Sequence, residues 1–153
     1  MLSILTLEVQ KAPTMLLYEV PKIIKIFYEK DNELIIHEWL EYNPEDQDHT
    51  ILIILQTIYD TFLTYPVEKV MVKTNRTKGI FSPSIQKYIR DVQFPRLLSD
   101  TKVRYIATIK SEDTLENIGT LLWQKQFNTE TDIVLHDIAS EEEAREWLKT
   151  INQ

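Results

Sequence analysis

The chain has 153 residues, 43% of them hydrophobic and 27% charged, a balance typical of one globular domain. It has no cysteine and only two glycines, Gly79 and Gly119, which excludes disulfide bonds, thiolate metal sites and the phosphate-binding loops that need paired glycines. The net charge of −7 disfavours general binding to nucleic acids or to anionic membranes.

The charge is unevenly distributed along the sequence. Residues 28–68 carry a net charge of −9, residues 69–110 carry +8 and residues 111–153 carry −7. The basic middle third can pair internally with the two acidic thirds, or it can form a local anion site. A solvated surface of mixed charge is the simpler interpretation.

The first half of the chain predicts three strands and one long helix. Residues 1–14 are expected to form an N-terminal appendage, and residues 15–153 a single domain. The predicted strands cover residues 16–20, 23–28 and 34–40, with a turn at Asp31 and Asn32 before the third. The helix is expected to begin at Asp46 or Asp48 and to end near Tyr65, because apolar residues recur at helical spacing until Pro66.

The second half alternates between strands and helices. Strands are predicted at 69–73, 103–109 and 133–135, and helices are predicted to begin at Ser82-Pro83, at Ser111 and at Ser140. Pro95 is expected to kink or end the first of these helices. The order is then β-β-β-α-β-α-β-α-β-α. It predicts an α/β fold whose mixed, mostly parallel sheet is opened by an antiparallel meander.

This order and several phrases resemble the SpoIIAA-like branch of the STAS superfamily, which consists of small bacterial domains. The resemblance covers roughly residues 16–150 and implies a regulator that binds a protein or a ligand, with a lipid-like ligand as in the related CRAL-TRIO-like domains. The signalling members carry an Asp-Ser pair where this chain has Lys73-Thr74-Asn75-Arg76, so a phosphorylation switch is not expected. The phrases that carry the resemblance are Leu17-Tyr18-Glu19, Glu33-Leu34-Ile35-Ile36-His37-Glu38-Trp39, Lys102-Val103-Arg104-Tyr105-Ile106-Ala107 and Ile138-Ala139-Ser140-Glu141-Glu142-Glu143-Ala144-Arg145-Glu146-Trp147-Leu148.

An anion site is the sharpest functional prediction. Three bases precede a helix start rich in serine, and a helix N-terminus offers free N–H groups and positive dipole to an anion. The alternative is that these bases pair with acids of the flanking thirds. The predicted site consists of Lys73, Arg76, Lys78, Ser82 and Ser84.

Aromatic residues form a second candidate site. Side chains of this kind can line an apolar pocket, although in strands and helices they more often belong to the core. The predicted pocket consists of Tyr18, Tyr28, Trp39, Tyr105 and Trp123.

No metal site or cofactor is predicted. His37 and Glu38 are neighbours in a strand and point to opposite faces, so they cannot chelate one ion, and His37 is expected to pack beside Trp39. A homodimer through residues 50–65 is predicted, because the apolar run Ile51–Leu55 is wider than one buried helical stripe.

The leading functional interpretation is a non-enzymatic STAS-like regulatory or binding module. The alternatives are a carrier or sensor of an apolar, lipid-like ligand, and an enzyme that acts on a phosphorylated small molecule. The longest uninterrupted apolar run has five residues, and the N-terminus lacks the basic region of a secretory signal, so we expect a cytoplasmic protein with no membrane span.

Overall fold

The computed structural model describes residues 14–40, 48–74, 81–109 and 132–151. These residues form an α/β fold, as the sequence predicted. The strands are Thr14–Val20 (β1), Ile24–Glu29 (β2), Leu34–Trp39 (β3), Lys69–Lys73 (β4), Tyr105–Ile109 (β5) and Val134–Ile138 (β6). The helices are Asp48–Thr64 (α1), Pro83–Tyr88 (α2), Phe94–Asp100 (α3) and Glu141–Thr150 (α4).

Two of the predicted segments lie wholly or mostly outside the described residues. The helix predicted to begin at Ser111 lies outside the described residues, and so do residues 1–13 of the expected N-terminal appendage. Thr14, the last residue assigned to that appendage, is the first residue of β1. The first described strand therefore includes one residue that the sequence assigned to the appendage.

The sheet has six strands in the order β1-β2-β3-β4-β5-β6. The pairs β1–β2 and β2–β3 are antiparallel, whereas β3–β4, β4–β5 and β5–β6 are parallel. This confirms the mixed sheet that opens with an antiparallel meander. Each described strand thus pairs only with strands that are its neighbours in sequence.

The two faces of the sheet are covered by different helices. Right-handed crossovers between successive parallel strands place their connecting helices on one side. Core residues of α1, α2 and α3 accordingly pack on the sheet face that carries Ile35, Val70 and Ile106, which we call the crossover face. Ala144 and Leu148 of α4 pack on the other face, here called the α4 face, against Leu34, Ile36, Met71, Ala107, Ile109 and Ile138.

Pro95 does not end the helix, which was one of the two effects that the sequence predicted. The helical path continues through it, because α2 passes into a π-helical turn, Ile89–Gln93, and then into α3. Pro95 lies in the first turn of α3, where a missing N–H is best tolerated. The π-helical turn ends at Gln93, two residues before the proline, and the helical path passes through Pro95 instead of stopping there.

Candidate functional site

Near the carboxyl edge of the parallel strands, one row of paired residues contains three polar side chains and one valine. In the strand register His37 of β3 pairs with Val72, Val72 with Thr108, and Thr108 with Asp137 of β6. Side chains alternate along a strand, so the row lies on the same face as Ile35, which is the crossover face. The carboxyl edge of such a sheet is where α/β proteins commonly bind ligands.

His37 is the most deeply buried member of this row. Its side chain is 5% exposed, and its ring centroid lies 5.6 Å from that of Phe62 on α1. Its Nε2 atom is buried and has no hydrogen-bond partner among the residues that the structure describes. Burial lowers the pKa of His37 to about 3, so the imidazole is neutral at physiological pH.

A buried nitrogen in this state has an energetic cost. Leaving a polar group buried without a hydrogen bond costs about 1–3 kcal/mol. Such groups are uncommon in native proteins, and a water or ligand often accounts for them. The sequence predicted a packed histidine beside Trp39, and the structure adds an unused hydrogen-bonding atom.

Two helices begin beside the carboxyl end of β3. Trp39, the last residue of β3, makes an edge-to-face contact with Phe81, their ring centroids being 5.5 Å apart. The Ser82 hydroxyl oxygen accepts a hydrogen bond from the Ile85 backbone N–H at 3.3 Å and so caps α2. The same hydroxyl donates to Oδ2 of Asp48, the first residue of α1, at 2.7 Å.

The Asp48–Ser82 bond joins the N-termini of α1 and α2. A carboxylate is favourably placed at a helix N-terminus, where the dipole is positive. We refer to these residues together as the carboxyl-edge cluster: His37, Trp39, Asp48, Phe81 and Ser82.

The residues of the predicted anion site are distributed over different parts of the fold. Lys73 belongs to the α4 face, where its Nζ lies 2.9 Å from Glu141 Oε1 and 3.6 Å from Glu38 Oε2. Ser82 caps a helix that packs on the crossover face, and Ser84 is exposed on that helix. Arg76 and Lys78 lie outside the described residues, so the anion site itself stays a prediction.

The aromatic residues of the predicted pocket are also divided. Tyr18, Tyr28 and Trp39 pack into the core of the crossover face. Tyr105 lies on the α4 face, with its ring centroid 6.4 Å from that of Trp147. Trp123 lies outside the described residues. The structure thus brings three of the five residues to one face and places Tyr105 on the other.

A chain of ion pairs on the α4 face was not predicted residue by residue. It links Glu38 to Lys73, Lys73 to Glu141, Glu141 to Arg145 and Arg145 to Glu29. Lys73 lowers the pKa of Glu141, and Arg145 lowers the pKa of Glu29. The pattern agrees with the internal pairing that the charge distribution allowed, since a base from the middle third meets acids from both others.

Within the described ranges, no helix is long and apolar enough to cross a membrane, and no three acidic or histidine side chains converge to hold a metal ion. Neither protein-family models nor curated proteins nor solved structures gave a match to this chain.

Proposed function

We propose that the chain is a non-enzymatic binding module of the STAS-like kind, which holds a small ligand at the carboxyl-edge cluster. The observation that carries this proposal is the buried His37, whose Nε2 atom has no partner among the described residues. A ligand that hydrogen-bonds to this nitrogen would offset the cost of burying it. The antiparallel meander before the parallel strands agrees with the part of the predicted element order that lies in the described residues, and the family resemblance rests in part on that order.

The chemistry of the cluster favours binding over catalysis. A general base works best when its pKa lies near the operating pH, and burial lowers the pKa of His37 to about 3. The Ser82 hydroxyl already donates to Asp48 and accepts from Ile85, which assigns it to holding the two helix starts. Both groups therefore have roles other than proton transfer or nucleophilic attack.

The same groups indicate the kind of ligand. In a neutral imidazole the Nε2 atom either accepts or donates one hydrogen bond, according to the tautomer, which suits a hydroxyl or an amide better than a charged group. Trp39, two residues beyond His37 along β3 on the same face, and Phe81, which contacts Trp39, supply apolar contact area. We therefore expect an uncharged, partly apolar molecule with at least one hydrogen-bonding group.

Native mass spectrometry of protein purified from its host tests this function. We expect a small molecule to remain bound to the wild type and to His37→Gln, and to be lost from His37→Phe, which has no polar atom at that position. Thr61→Val is the matched control. Thr61 is 9% exposed on α1 and its hydroxyl already donates to Thr57 O at 2.8 Å. This variant therefore removes a buried hydroxyl from the core and leaves His37 Nε2 in place.

The outcomes separate the alternatives. A co-purifying lipid would favour the carrier of an apolar ligand, and a phosphorylated compound would favour the enzyme. Equal ligand occupancy in the wild type and in a folded His37→Phe variant would show that the ligand does not use this nitrogen, and the proposed site would be abandoned.

A further inference from the structure

The outer side of α1 presents apolar side chains away from the core. Ile53 is 51% exposed and Leu63 is 49% exposed, while the opposite side of the helix carries the buried Ile54, Ile58 and Phe62. Two exposed polar residues lie between them on the same side, at spacings that follow the helical period. We call this set the outer stripe of α1: Ile53, Gln56, Asp60 and Leu63.

The outer stripe is symmetric about the level of Ile58. Ile53 and Leu63 lie five positions on either side of that level, and Gln56 and Asp60 lie two positions on either side. If a second α1 lies antiparallel across a twofold axis at this level, Ile53 of each copy meets Leu63 of the other. In the same arrangement Gln56 of each copy meets Asp60 of the other.

The polar pair is oriented for such a contact. Arg96 Nη1 donates to Gln56 Oε1 at 2.9 Å, which turns the amide nitrogen of Gln56 toward Asp60. Gln56 Nε2 donates to Asp60 Oδ1 at 3.1 Å, and within the described residues that is the single bond this nitrogen makes. An amide nitrogen has two hydrogens, so the second can be donated to Asp60 of the other copy.

Charge decides between the two orientations of the helices. In the antiparallel arrangement each Asp60 carboxylate faces an amide that donates to it. In a parallel arrangement Asp60 would face Asp60 of the second copy, and like charges in direct contact are destabilising. The stripe is therefore complementary to itself in one orientation only.

We propose that two copies of this chain associate through the outer stripe of α1, with the two helices antiparallel. The stripe spans ten residues, or about 15 Å of helix. A contact of this length is smaller than the roughly 800 Å² per partner of a standard stable interface, so the association is weak and reversible.

Sedimentation equilibrium across a range of protein concentrations up to the millimolar range measures the association. We expect concentration-dependent dimerisation of the wild type, and a dissociation constant raised at least about tenfold in Ile53→Glu, because the variant buries a charge in the contact. Val92→Glu is the control, since Val92 is also apolar and 41% exposed but lies on the π-helical turn. A wild type that stays monomeric, or equal weakening by both variants, would refute the proposal.

Engineered cysteines report the orientation, because the natural chain has none. In the antiparallel dimer residue 53 faces residue 63 of the other copy, while the two residues 53 lie about 15 Å apart. A disulfide needs Cα atoms closer than about 7 Å. A mixture of Ile53→Cys and Leu63→Cys should therefore oxidise to the mixed disulfide dimer. Predominant 53–53 and 63–63 disulfides, or cross-linking no faster than for Val92→Cys, would overturn the antiparallel arrangement.

Discussion

Arg145 on the last helix and Glu29 on the second strand, 116 positions apart in the chain, form an ion pair with two hydrogen bonds. Nη1 donates to Oε1 at 2.9 Å and Nη2 donates to Oε2 at 2.7 Å. The Glu29 carboxylate also accepts from Asn32 Nδ2 at 2.9 Å, and its side chain is only 6% exposed. This pair attaches α4 to the antiparallel part of the sheet, beyond the strands that α4 covers directly.

Arg145→Ala is expected to lower the free energy of unfolding by about 3 kcal/mol, because the Glu29 carboxylate would be left buried without its cation. Urea denaturation of the variant and the wild type measures the difference. Lys149→Ala is the control. Lys149 pairs with Glu146 on the same helix and both side chains are mostly exposed, so we expect a change below about 0.5 kcal/mol. Similar losses in the two variants would mean that the buried pair contributes no more than a surface pair.

The stability of the fold should depend on pH through His37. Its pKa is about 3 in the folded chain, while a histidine in an unfolded chain has a pKa near 6.5. The contribution of His37 to the free energy of unfolding is therefore fully present above pH 6.5. As the pH falls, the free energy of unfolding decreases by about 1.4 kcal/mol per pH unit down to about pH 3. Glu29 and Glu141, whose pKa values are lowered, lose stabilisation only below their ordinary value of 4.5.

The histidine contribution can be isolated by substitution. Between pH 6.5 and pH 5 the wild type should lose about 2 kcal/mol more than His37→Phe does. Denaturation curves at these two pH values, recorded for both proteins, give the comparison. Parallel behaviour of the two proteins over this interval would show that the imidazole can be protonated without unfolding.

Glu33 should be replaceable by glycine with a gain in stability. It follows the short 3₁₀ turn Lys30–Asn32 with a φ of 49°, in the left-handed region that a side chain disfavours. We expect Glu33→Gly to raise the free energy of unfolding by about 0.5 kcal/mol, and Asp31→Gly, within the 3₁₀ turn, to lower it. Denaturation midpoints test both. A loss in both variants would show that the glutamate side chain outweighs the backbone strain.

Ser82→Ala is expected to lower the free energy of unfolding by about 1–2 kcal/mol. The hydroxyl both caps α2 and donates to Asp48, so its removal loses the cap and leaves the start of α1 without that partner. Ser84→Ala, at an exposed position on the same helix, should change the stability by less than about 0.5 kcal/mol. The midpoints of thermal unfolding measure the difference. If the two variants have the same midpoint, this role of Ser82 is wrong.

Much of the fold could be predicted because the spacing of apolar residues within a short segment is enough to distinguish a strand from a helix. The strand at 69–73 was predicted with the bounds that the structure has, since Lys69 and Lys73 flank a short apolar run and Pro66 precedes it. The last strand was predicted as 133–135 but runs from Val134 to Ile138. His136 and Asp137 look like loop residues in sequence. They belong to the strand because its backbone is held by β5, which only the tertiary structure supplies.

The candidate site could be predicted only in part, because the sequence does not show which face of the sheet each helix covers. Alternation places Lys73 on the same side as Met71, but nothing local states that α4 covers that side. The helix follows the last strand and is free to pack on either face. Lys73 was therefore grouped with Ser82, and Tyr105 with Trp39, although the sheet separates them. Sequence also could not show that Nε2 of His37 is buried without a partner among the described residues, because this depends on the three-dimensional packing around it.

The sequential strand order bears on how the chain forms during synthesis. Because each described strand pairs with the strand made just before it, the sheet can grow from the antiparallel meander as the chain leaves the ribosome. The α4 face is different, because the helix that packs on Leu34, Ile36, Met71 and Ala107 follows all six described strands in the chain. A nascent chain thus carries this apolar surface without α4 until that helix has been made. A released chain that ends just before residue 141 should therefore present this apolar surface to chaperones.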